Sequence, residues 1–100
     1  IEAMDRALGI FLDRLEAAGL RERTTFLLLA DHGGHGYDHG SDALEDMIIP
    51  WIISGPGIKR GYELRDQVNL ADTAPTLARA LGLTPPSAWD GRPVDEAFDD

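Results

Sequence analysis

The stretch Phe26–Gly40, FLLLADHGGHGYDHG, decides how this chain folds. It opens on an apolar run, Phe26-Leu27-Leu28-Leu29-Ala30, preceded by Thr24 and Thr25, and passes directly into glycine-rich sequence. A short apolar run bounded in this way reads as a strand buried on both faces. Asp31 and His32 then fall at the strand's carboxyl end, where open α/β sheets bind their ligands. Carboxylate oxygen and imidazole nitrogen together suit zinc or a similar transition metal. The glycines allow the backbone to double back, so His39 can return toward Asp31 and His32. All three histidines of the chain lie in this one segment, which points to a metal site rather than to scattered surface histidines.

On the amino-terminal side, Ile1, Met4, Leu8, Phe11, Leu15 and Ala18 recur at spacings of three and four. They predict an amphipathic helix over Ile1–Gly19, with Leu12 widening the stripe and Gly19 and Leu20 closing it. Arg21-Glu22-Arg23 connects it to the strand, and helix, short loop, strand is half of a βαβ unit. On the carboxyl side, Asp31–Met47 is a long loop of the kind that carries function. Within it Asp38, Asp42, Glu45 and Asp46 read as a solvated, charged face. Met47–Ile53 is a second buried strand, regular over Trp51–Ser54 because Pro50 cannot donate a ladder hydrogen bond. Gly55-Pro56-Gly57 is a turn, and Lys59 and Arg60 read as exposed bases. Asp72 is placed as the N-cap of a second helix with Pro75 in its first turn, ended by Gly82 and by Pro85-Pro86. Trp89 is expected to pack on the body, and Val94–Phe98 to form a short terminal element.

The chain has 9 Lys and Arg against 18 Asp and Glu, a net charge of −9. That balance disfavours a nucleic acid duplex or an anionic membrane surface as partner. Phosphate esters could be handled only with bound cations supplying the positive field. There is no cysteine, so thiolate metal sites and disulfides are excluded. No apolar run is long enough to span a membrane.

Ala30-Asp31-His32-Gly33-Gly34, then His39-Gly40, then Ile49-Pro50-Trp51-Ile52-Ile53-Ser54-Gly55-Pro56-Gly57 together resemble the C-terminal metal-binding segment of the alkaline phosphatase superfamily. Within it the pattern is most similar to the type I phosphodiesterase/nucleotide pyrophosphatase branch and its sulfatase-like relatives. The resemblance runs from the first helix to Trp89-Asp90-Gly91. It implies an α/β fold, helix–strand–loop–strand–helix, as the C-terminal part of a sheet sandwiched by helices. Residues 1–100 would form a single partial domain, incomplete by itself.

The resemblance further implies two divalent metal ions, zinc favoured by the donor set, with manganese and iron as alternatives. Asp31 and His32 match the adjacent pair that ligates one metal, and His39 matches the residue completing the other's shell. His35, Tyr37 and Asp38 are candidates for contacts to those ligands or to substrate. No residue of this chain matches the Thr or Ser nucleophile, which the family carries in an earlier segment. The expected activity of the parent protein is metal-dependent hydrolysis of phosphodiester or nucleotide pyrophosphate bonds, with a nucleotide-like phosphate ester as substrate. Sulfatase, phosphoethanolamine transferase and phosphoglycerate mutase activities are the alternatives within the superfamily, and a non-catalytic metal-binding or assembly module is the alternative outside it. The chain is expected to be inactive alone and to associate with itself or with a missing N-terminal part. Members of the family are often exported.

Overall fold

A computed structural model describes residues 1–99. The predicted elements appear in order, α1 (Glu2–Ala17), β1 (Phe26–Leu29), β2 (Trp51–Ser54) and α3 (Thr73–Ala80), with a short helix, α2 (Leu44–Met47), inside the stretch expected as loop. Single 3-10 turns at Arg21–Arg23, Leu70–Asp72 and Asp95–Ala97 complete the chain. The result is a mixed α/β unit of the kind expected for part of an alkaline-phosphatase-like domain.

β1 and β2 pair antiparallel, with Phe26 opposite Ser54 and Leu29 opposite Trp51. This differs from the parallel arrangement that half of a βαβ unit suggests. An apolar run reads the same in either orientation, so the sequence did not distinguish them. The strands are also not buried on both faces. β1 is half-buried along its length and Ile52 of β2 is exposed, because a two-stranded sheet has no further strands to cover it. β2 begins immediately after Pro50, where a missing N–H costs no ladder bond.

α1 ends in the arrangement its sequence predicts. Leu20 N–H reaches back to Leu15 C=O at 2.9 Å and Gly19 N–H to Glu16 C=O at 2.9 Å, with Gly19 at φ +68°. Its stripe meets the sheet where the Phe11 ring lies 6.2 Å from that of Phe26. Met4, Ile10 and Phe11 nonetheless remain exposed.

The core lies on the β2 side. Ile58, Val94, Ala97 and Phe98 are buried, with Trp51, Ile53, Leu64, Val68 and Ala80 packed against them. Lys59 N–H bonds to Ala97 C=O and Asp99 N–H to Gly57 C=O, which lays the terminal segment beside β2. Glu96 ties this region together. Its carboxylate accepts the Tyr62 hydroxyl and the backbone N–H groups of Arg65 and Asp66. Lys59 is not a free base: its ammonium donates to Glu96 C=O at 2.8 Å and sits over the Tyr62 ring. Asp72 occupies the N-cap position of α3 as predicted but makes no side-chain cap there. Its two oxygens instead accept the N–H groups of Asn69 and Arg92. Trp89, expected to pack inward, is 45% exposed. No helix among the described residues is long and apolar enough to cross a membrane.

Candidate metal centre

The connection from Ala30 to Pro50 leaves β1 and returns to β2, so both of its ends are fixed by the strand pairing. Its first half is docked on α2. Gly33 N–H bonds to Asp46 C=O at 2.8 Å and Gly34 N–H to Glu45 C=O at 2.7 Å. The approach at Gly33 is so close that a Cβ there would meet Glu45 O at 2.0 Å. Only glycine fits, which explains the first glycine after Asp31-His32. His35 and Asp38 then exchange both backbone hydrogen bonds and close a tight hairpin. That hairpin turns the chain so that His39 comes back beside His32.

The two imidazole rings stack, with centroids 4.3 Å apart and planes 5° from parallel. His32 Nδ1 lies 2.6 Å from Gly33 C=O. A carbonyl can only accept, so Nδ1 carries the proton, and in the neutral imidazole Nε2 presents a lone pair. That Nε2 stands 3.5 Å from Asp31 Oδ2. In the neutral tautomer these are two acceptors facing each other with no hydrogen between them. Such a pair suits a bridging cation, and an Nδ1–H held by a backbone carbonyl is the usual support of a ligating histidine. Asp31 is open to solvent and His32 half so, which leaves room for further ligands. Among the described residues, no three carboxylate or imidazole groups converge on one point. Asp31 and His32 form one two-donor face, and His39 stands behind it.

The other sequence candidates separate. Asp38 Oδ1 accepts the His39 N–H at 2.9 Å and so orients the histidine's backbone. Tyr37 is fully exposed at the hairpin tip and does not pack over the site. His35 does not reach His32 or His39. Its Nδ1 is 2.7 Å from Asp46 Oδ1.

Asp46 corrects the sequence reading. It was expected on a solvated loop face and is 3% exposed. Its second oxygen accepts both the Ser41 N–H at 2.8 Å and the Ser41 hydroxyl at 2.7 Å. The Ser41 hydroxyl, then His35 and the Ser41 amide, hold its carboxyl below the ordinary value, against the opposite push of burial. Nothing in composition separates Asp46 from its acidic neighbours. The available signal was its place directly against the apolar run Met47–Ile49, where a carboxylate must find partners or be excluded from the fold.

Comparison with known proteins bears on the whole chain. A family model described as Sulfatase matches residues 1–83. A 2,3-bisphosphoglycerate-independent phosphoglycerate mutase from Haloarcula marismortui is 34% identical, over 96% of this chain and 19% of its own length. Arylsulfatase K from Danio rerio is 31% identical over 79% of this chain and 16% of its own length. An ulvan-active sulfatase from Formosa agariphila is 26% identical over 94% and 20%. The chain therefore spans about a fifth of the length of the curated relatives it matches. No solved structure gives a significant match. With the family model covering α1, the Asp31–His39 turn, β2 and α3, the chain belongs to the sulfatase family of the alkaline phosphatase-like superfamily.

Proposed function

We propose that this chain supplies part of a two-metal centre in an enzyme that transfers or hydrolyses a phosphate monoester. The observation that carries the proposal is the Asp31–His32 pair, a carboxylate and an imidazole lone pair 3.5 Å apart. Asp31 and His32 would hold one divalent ion and His39 would contribute to the other. Imidazole donors favour zinc, manganese or iron over calcium, which prefers oxygen ligands. When bound, such ions meet the negative charge of a phosphoryl group. This chain's residues orient the ligands: Gly33 C=O fixes the His32 tautomer and Asp38 fixes the His39 backbone. The nucleophile is not among the residues of this site, so the chain alone is proposed to be inactive.

The relatives named above are phosphoglycerate mutases and sulfatases. They support those two alternatives better than the phosphodiesterase or nucleotide pyrophosphatase reading. The histidine-rich donor set favours the phosphoryl reading, and the Sulfatase family model favours sulfate esters as the second. The test is turnover by the intact protein on 3-phosphoglycerate, nitrophenyl phosphate, bis-nitrophenyl phosphate and nitrophenyl sulfate, before and after chelation. Metal-dependent turnover of either monophosphate, abolished by Asp31→Asn, supports the proposal. Turnover of the sulfate ester alone establishes the second reading. Preference for the diester restores the phosphodiesterase reading, and no metal-dependent turnover of any ester leaves a binding module.

A further inference from the structure

The two proposed half-shells are separated along the chain by the His35–Asp38 hairpin. One residue contacts the chain on both sides of it. Asp46 accepts the Gly33 N–H through its backbone carbonyl, next to His32. Through its carboxylate it holds the Ser41 N–H and hydroxyl, two positions beyond His39. Its remaining oxygen takes the His35 imidazole at the hairpin's base. Asp46 is anchored in turn by α2, whose helical bonds link Asp46 N–H to Ala43 C=O at 3.0 Å and Ile48 N–H to Leu44 C=O at 2.9 Å. It is buried and both of its oxygens already accept hydrogen bonds within the loop, which sets it apart from the solvent-open Asp31.

We propose that Asp46 is the positioning residue of this site, the group that fixes His32 and His39 at their stacked separation. The inference rests on the metal reading given above. It assigns His35 and Ser41 a role through Asp46 rather than as ligands. It also explains why a carboxylate is kept out of water in the otherwise exposed α2. A carboxylate accepts three donors from three directions, which an amide or a hydroxyl of the same size cannot do.

The test is Co²⁺ binding to the intact protein, followed by visible absorption, together with thermal unfolding. Asp46→Asn is expected to weaken Co²⁺ binding by less than the roughly 10–100-fold seen when a group bonded directly to a metal ligand is removed. It should also change the ligand-field spectrum. Ser41→Ala keeps the backbone bond and is expected to give a smaller loss of the same sign, and it keeps the proposal testable if Asp46→Asn fails to fold. Glu45→Gln alters the adjacent exposed carboxylate and should leave affinity and spectrum unchanged. Unchanged Co²⁺ affinity and spectrum in Asp46→Asn, or in Ser41→Ala where Asp46→Asn does not fold, overturns the proposal while leaving the metal reading intact. A wild-type protein that binds no Co²⁺ overturns the metal reading and the proposal with it.

Discussion

The rings of His32 and His39 lie face to face, 4.3 Å between centroids and 5° from parallel, yet among the described residues only His32 has a carboxylate beside its Nε2. On the metal reading proposed above, the stack presents two unequal faces. Asp31→Asn and His32→Ala are expected to remove the same ion from the intact protein, and His39→Ala to remove the other. Metal analysis of the purified variants checks this. Loss of both ions in every variant, or of neither in Asp31→Asn, breaks the division.

Gly33 and Gly9 predict opposite responses to the same change. A Cβ on Gly33 would lie 2.0 Å from Glu45 O and 2.8 Å from Ile48 O, both backbone atoms. Gly33→Ala must push the loop off α2, at about 1–3 kcal/mol by the usual cost of overpacking. Gly9 lies inside α1 with nothing within 4 Å. Gly9→Ala should stabilise by about 1 kcal/mol through helix propensity. Urea unfolding of the two variants gives the signs directly, and a neutral Gly33→Ala would mean that the loop does not dock as described.

The main helices and strands and the tight turn after β1 were legible because their signals are local. Pro50 sets where β2 can begin, Gly19 and Gly82 end their helices, and Asp31-His32-Gly33-Gly34 announces the turn. What was illegible depends on contacts distant in sequence. Asp46 finds His35 eleven positions back, and Glu96 finds Tyr62, Arg65 and Asp66 some thirty back. No periodicity encodes such pairings. The exposed stripe of α1 was misjudged for a related reason. Apolar spacing specifies a face but not what covers it, and Ile1, Met4 and Phe11 of that stripe are open.

Thr76 is fully buried, and its hydroxyl serves two segments at once. It donates to Asp72 C=O at 2.6 Å and accepts the Val94 N–H at 2.9 Å. Thr76→Val keeps the shape but leaves the Val94 amide without a partner, a loss of about 1–3 kcal/mol. Thr76→Ser keeps both bonds and loses one methyl, about 0.8 kcal/mol. The ordering wild type, Ser, Val in denaturant midpoint is the check. A valine variant as stable as the serine one would show that the hydroxyl does not join α3 to the terminal segment.

Glu96 should set part of the acid limb of stability. The Asp66 N–H, followed by the Arg65 N–H and the Tyr62 hydroxyl, holds its carboxyl below the ordinary value, with burial opposing. All of these donors favour the charged form, so the folded state binds a proton less readily than the unfolded chain. A depressed folded-state value contributes stability above the unfolded value of about 4.3 and loses it as pH falls through the folded one. Unfolding midpoints of the wild type should therefore fall below about pH 4.5. Glu96→Gln is expected to start lower at neutral pH, because an amide cannot accept all three donors. It should then show a shallower decline toward acid. Parallel acid limbs in the two proteins would mean that Glu96 is equally ionised folded and unfolded, and that the clamp on Arg65 and Asp66 contributes no pH-dependent stability.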